Sequence, residues 1–225
     1  MAGYELFDHD GEKLWSCQPL DDHADCMVVG KIRPDLPHDR IAIGGSVTVL
    51  YASEGTELWP YTGSKESQHV AVGKYSDSAS KVQIAGLDRI KRGHDGMFLL
   101  TSAGEGIWKE DRKVRGWLTI IETLTNWDSI GTDHIFAYRR RCGLMPALYN
   151  CVTQPVITFP LDGRVVRADL LGRGQTDVLI YTDDEAAIFT STAYDLSEVP
   201  SGNALPHPKR LSHQTLYPCS EYPSG

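Results

Sequence analysis

The sequence predicts an all-β chain organised as a β-propeller, and three observations predict it. A hairpin phrase closed by an aromatic residue recurs along the chain. A pair of buried-strand runs recurs between its copies. No stretch of comparable length carries a helical period, and Gly, Asp and Pro turns separate the short apolar runs.

The hairpin phrase appears first as YELFDHDGEKLW (Tyr4–Trp15), two strand patterns around an Asp-Gly turn with a closing tryptophan. It returns as VTVLYASEGTELW (Val47–Trp59) and MFLLTSAGEGIW (Met97–Trp108). A fourth copy, PALYNCVTQPVITF (Pro146–Phe159), replaces the turn glycine with Thr153-Gln154-Pro155. The closing aromatics stand at 15, 59, 108 and 159, a spacing that makes each a packing plug between neighbouring units.

Between the hairpins come paired runs. CMVVG (Cys26–Gly30), HVAVG (His69–Gly73), WLTII (Trp117–Ile121) and VVRADLLG (Val165–Gly172) read as first strands. IAIG (Ile41–Gly44), IAGL (Ile84–Leu87), IFAY (Ile135–Tyr138) and VLIY (Val178–Tyr181) read as second strands. Four strands per repeat of about 40 to 50 residues is the blade of a propeller. The pattern gives about four four-stranded blades over residues 1–195, with room for the first and last to be incomplete. Residues 196–225, with five prolines, read as an extended tail packed on the propeller. Four blades lie at the bottom of the range for closure, and the chain begins inside a hairpin. The expectation is therefore a partial propeller, either a piece of a longer parent or a chain completed by a second copy.

Composition bounds the function. The 225 residues are 41% hydrophobic, enough for a real core, and no run of 18 apolar residues is present to span a membrane. The net charge of −8 argues against a nucleic-acid partner. Glu5, Asp8, Asp10 and Glu12 lie where an export signal needs a basic start and an apolar run. The five cysteines have no metal spacing and read as small semi-buried thiols, with a Cys142–Cys151 bridge open as an alternative.

Strand order sorts the loops into two ends. Residues before a first strand or after a second strand share one end near the axis. That end collects His23, Asp25, Gln68, His69, Asp88, Arg89, Trp117, Tyr138 to Arg141, Arg167, Asp183 and Asp184. Such convergence of both charge signs, aromatics and an amide is how propeller sites are built. Planar guanidinium groups at Arg139 and Arg140 suit a bidentate grip on a carboxylate, although three surface arginines are also commonly paired with acidic neighbours. At the other end, Asp8 and Asp10, and Asn126, Asp128 and Asp133, present oxygen ligands at spacings that suit calcium. The same residues also cap tight turns, and Arg173 stands in LLGRGQTD where a ligand oxygen would be wanted.

The segments NWD, GTDHIFAYRR, PALYN, VVRADLLGRGQTDVLIYTD, YDL and ALPHPKRL resemble the C-terminal part of rhamnogalacturonan lyases of the propeller type, polysaccharide lyase family 11. The resemblance implies an eight-bladed ring, calcium, frequent secretion, and β-elimination in the acidic rhamnose–galacturonate backbone of pectin, a plant cell-wall polysaccharide. It would give Arg139 and Arg140 the uronate carboxylate, Tyr138 or His69 the C5 proton, and Trp117 a sugar face. Gln68, Asp88, Arg89 and Arg167 would complete substrate binding. The competing expectation is a non-catalytic propeller that binds glycan or protein through the same end.

Overall fold

A computed structural model describes residues 2–20, 23–76, 82–90, 94–111, 118–125, 127–128, 131–139, 143–151, 154–192 and 213–215. Every regular element among them is a β-strand, and every pairing is antiparallel.

The chain opens with a hairpin, β1 (Ala2–Phe7) and β2 (Lys13–Leu20). The first full sheet is β3 (Ala24–Gly30), β4 (Arg40–Gly45), β5 (Thr48–Ala52) and β6 (Glu57–Tyr61). The second is β7 (Ser67–Gly73), β8 (Gln83–Ile90), β9 (His94–Thr101) and β10 (Gly106–Asp111). The third is β11 (Ile120–Leu124), β12 (His134–Tyr138), β13 (Ala147–Tyr149) and β14 (Pro155–Thr158). A three-stranded fourth sheet follows, β15 (Arg164–Ala168), β16 (Asp177–Tyr181) and β17 (Ala186–Phe189). Sequence neighbours pair in order within each sheet, as in a propeller blade. The expected count of about four blades thus meets three full sheets, a leading hairpin and a three-stranded sheet among the described residues.

One strand of the tail is described. β18 (His213–Thr215) pairs with β3, setting His213 against Val28 and Thr215 against Cys26. The rest of the tail from residue 196 lies outside the described residues.

Burial follows strand rank. β4, β5 and β11 are buried at every position, because both of their faces are covered by neighbouring sheets. The outer strands β6 and β10 are largely exposed and tuck in only the tryptophan side. The core therefore lies between sheets. Val28, Ala42 and Leu50 of the first sheet meet Val70, Ile84, Phe98 and Leu100 of the second. Ala71, Ala85 and Leu99 of the second meet Ile121, Ile135 and Ala137 of the third. Phe136, Leu148 and Phe159 of the third meet Val165, Val178 and Ile180 of the fourth.

The closing tryptophans repeat one contact. Trp15 donates its indole N–H to the Ser53 carbonyl at 3.0 Å, and Trp59 donates to the Ser102 carbonyl at 3.2 Å. Each ring lies over the turn glycine two residues on. A Cβ built at Gly55 would meet Trp15 at 2.7 Å, and one at Gly104 would meet Trp59 at 2.6 Å. Both glycines have φ of +87°, where an L side chain is strained, so glycine serves backbone and neighbour together. Trp108 packs with Leu144 and Cys151 against the core between the second and third sheets.

Candidate functional site

The end of the sheets where first strands begin brings two sheets together. His23 precedes β3, and Glu66 precedes β7, which carries Gln68 near its start. Gln68 Nε2 lies 2.9 Å from His23 Nε2 and donates to Glu66 Oε1 at 3.2 Å. Asp25 sits 3.1 Å from His23, and Arg89, at the end of β8, reaches Glu66 at 3.3 Å. The Glu66 and Arg89 side chains remain 37% and 41% exposed, so the network meets solvent. The structure thus brings His23, Asp25, Gln68 and Arg89 together at this end. Glu66 was not expected; its signal was an acidic residue directly ahead of a first strand.

Asp88 stands beneath this network. Its carboxylate accepts the amides of Lys65 and Glu66 at 2.7 and 2.9 Å and faces Lys109 at 3.1 Å, fully buried. It fixes the loop entering β7 rather than facing solvent.

Three further candidates converge on β11 in the interior. His69 is 1% exposed, with Nδ1 2.9 Å from the Ile121 carbonyl. Tyr138 is 1% exposed, and its hydroxyl donates to Glu122 Oε2 at 3.3 Å. Arg167 lies 2.9 Å from the same carboxylate and donates to the Thr123 carbonyl at 3.0 Å. A buried carboxylate demands such partners, and Glu122, a lone charge in the apolar run WLTIIETL, was the sequence signal for them. Arg139 is half-buried after β12, its guanidinium over Gly143. Arg140, Trp117 and Asn126 lie outside the described residues.

The described calcium candidates Asp8, Asp128 and Asp133 are each engaged by protein groups. Asp8 Oδ1 accepts the amides of Asp10 and Glu12, both at 2.9 Å. Asp8, His9 and Asp10 hold ligand atoms within 4.8 Å of one another on that exposed turn. Asp128 pairs with His134 at 3.2 Å, and Asp133 accepts the Lys74 amide at 2.7 Å. Burial raises the Asp133 carboxyl above the ordinary aspartate range. In the fourth sheet Asp169 takes the amides of Arg173 and Gly174, while Arg173 sets its own guanidinium 2.6 Å from Asp177. Arg173, standing where a ligand oxygen would be wanted, thus pairs with a carboxylate.

At the opposite end a cavity of about 530 Å³ opens between the first three sheets, lined by Lys31, Ile32, Lys74, Thr125 and Asp133 among others. Cys17, Cys26 and Cys151 form no disulfide, while Cys142 lies outside the described residues.

No protein-family model matches the chain, and no curated protein matches it. Among solved structures it is similar to BBS1N, a Bardet–Biedl protein β-propeller domain, determined in complex with ARL6DN and soaked with lead. The match has a TM-score of 0.58 and 13% sequence identity, and covers 84% of this chain and 60% of that one. The likeness establishes a propeller-like fold. It also overturns the resemblance to rhamnogalacturonan lyases, which no family model or curated protein bears out. The lyase, pectin and polysaccharide expectations fall with it. That resemblance had rested on short segments, among them those that form β12, β15 and β16.

Proposed function

We propose that this chain is a non-catalytic binding propeller that docks a protein partner through the end bearing His23, Glu66, Gln68 and Arg89. The observation that carries this reading is the His23–Gln68–Glu66–Arg89 network, which joins two sheets and exposes charges of both signs side by side. A surface of that kind favours a partner with complementary charges and sets encounter rate and register. The similarity to BBS1N, solved with ARL6DN, supports it by analogy of fold. The burial of His69, Tyr138 and Asp88 fits as well, since their polar atoms are engaged in joining strands and loops.

The test compares wild-type chain with Arg89→Glu/Gln68→Ala as immobilised baits, followed by calorimetry with each purified retained protein. The reading expects at least about tenfold weaker binding by the variant, with an unchanged melt. Equal affinity for both baits sinks it.

A further inference from the structure

The chain repeats one interface and leaves its two halves over. Each sheet presents to the next a row of side chains running across its strands. Leu6 and Trp15 form the row of the hairpin. Val28, Ala42, Leu50 and Trp59 form that of the first sheet. Ala71, Ala85, Leu99 and Trp108 form that of the second. The fourth sheet carries the first three positions of that row, Val166, Leu179 and Ile188, and its three described strands bring no tryptophan. In the third-strand position Leu50 and Leu99 are fully buried, whereas Ile188 is 49% exposed.

The receiving half repeats as strictly. Tyr51 and Leu100 stand four residues before the turn glycines Gly55 and Gly104, and are 1% and 0% exposed beneath the incoming tryptophan. Phe7 holds the same place before Gly11 and is 49% exposed. The turns match in detail. Gly55 and Gly104 donate to the carbonyls of Ala52 and Thr101 at 3.0 Å, and Gly11 donates to that of Asp8 at 3.2 Å. Gly11 has φ of +85°, yet a Cβ there would meet nothing within 4 Å. The receptor is formed and uncovered.

We propose that the face carrying Phe7 and the Gly11 turn docks the Val166–Leu179–Ile188 face of a second copy of this chain. Short of the closing tryptophan, the two faces are the two halves of a contact that the chain already makes between its own successive sheets, which is why a second copy is the occupant. Because the halves differ, the contact is head-to-tail and extends to a ring or an open chain of copies. This surface is separate from the partner-binding end, so Arg89→Glu/Gln68→Ala leaves it intact.

Sedimentation velocity tests this on the full chain from about 1 to about 200 µM, a range in which association of a modest interface becomes visible by mass action. Wild type is expected to associate with rising concentration, while Phe7→Asp and Ile188→Asp each remain monomeric. Both side chains are exposed, and melts coincident with wild type establish that the variants fold. An equimolar mixture of the two variants retains one intact half from each and is expected to form a one-to-one dimer that grows no further. A wild type monomeric throughout overturns the proposal. So does association that survives in either variant, or a mixture that stays monomeric.

Discussion

Arg167 of β15 and Glu122 of β11 lie 2.9 Å apart with their side chains only 11% and 4% exposed, and the pair joins the third and fourth sheets. Tyr138 donates to the same carboxylate. Removing one member strands a buried charge, so Arg167→Met alone is expected to cost about 3–5 kcal/mol in urea denaturation. The double variant Arg167→Met/Glu122→Met leaves no charge behind and should recover most of that loss. A double variant as unstable as the single would mean that packing, rather than the stranded charge, sets the cost.

The turn glycines allow a matched comparison. Gly11→Ala and Gly104→Ala both place a side chain at positive φ, costing about 1–2 kcal/mol. Only at Gly104 does the new methyl also run into Trp59, which adds about 1–3 kcal/mol of overpacking. Thermal melts at low protein concentration should therefore rank Gly104→Ala clearly below Gly11→Ala. Equal losses would show that the indole yields freely.

Burial pushes the Cys26 thiol up to about 12, and its S–H donates to the Val70 carbonyl. The raised value contributes stability below the unfolded thiol's pKa of about 8.5, and this contribution is lost as pH rises toward the folded value. At pH of about 9, mass spectrometry after iodoacetamide should find Cys26 protected at least about 100-fold relative to urea-unfolded chain. Rapid labelling of the native protein at Cys26 would contradict its burial.

Asp133 gives a pH signature of its own. Its carboxyl is raised by burial, so the folded state holds the proton more tightly than the unfolded state does. The associated stability is present below the ordinary carboxylate range and fades as pH rises through the folded value. Asp133→Asn keeps an oxygen for the Lys74 amide and removes the charge. Melting temperatures should agree at about pH 3 and diverge in favour of the variant by about pH 6. A wild type that melts higher at pH 6 would show that the charged form is favoured.

Strand placement was legible because the apolar runs are short and bounded by turns, and the tryptophan phrase marks every outer hairpin it closes. CMVVG, IAIG and VLIY each fall within the strand read for them. The roles of Tyr138 and His69 were harder to read. Their place at strand ends suggested the axis, but side chains leave a strand perpendicular to its sheet. His69 therefore points into the third sheet, where β11 receives it, while Tyr138 faces the fourth sheet and bonds Glu122 on the adjacent strand of its own sheet. Glu66 lacked a motif and emerged only once two sheets stood side by side. The pairing of β18 was hidden for a different reason, since a main-chain ladder along an edge needs no apolar pattern and His213-Gln214-Thr215 offers none.

That ladder has a kinetic consequence. Val28 and His213 come from opposite ends of the sequence, so their register cannot form until almost the whole chain has been gathered in. Contacts of such long separation are slow to arrive, and the β3–β18 seam should close last during refolding. In hydrogen exchange, the amides bonded across the β3–β18 seam would then report the completed molecule, not its early sheets.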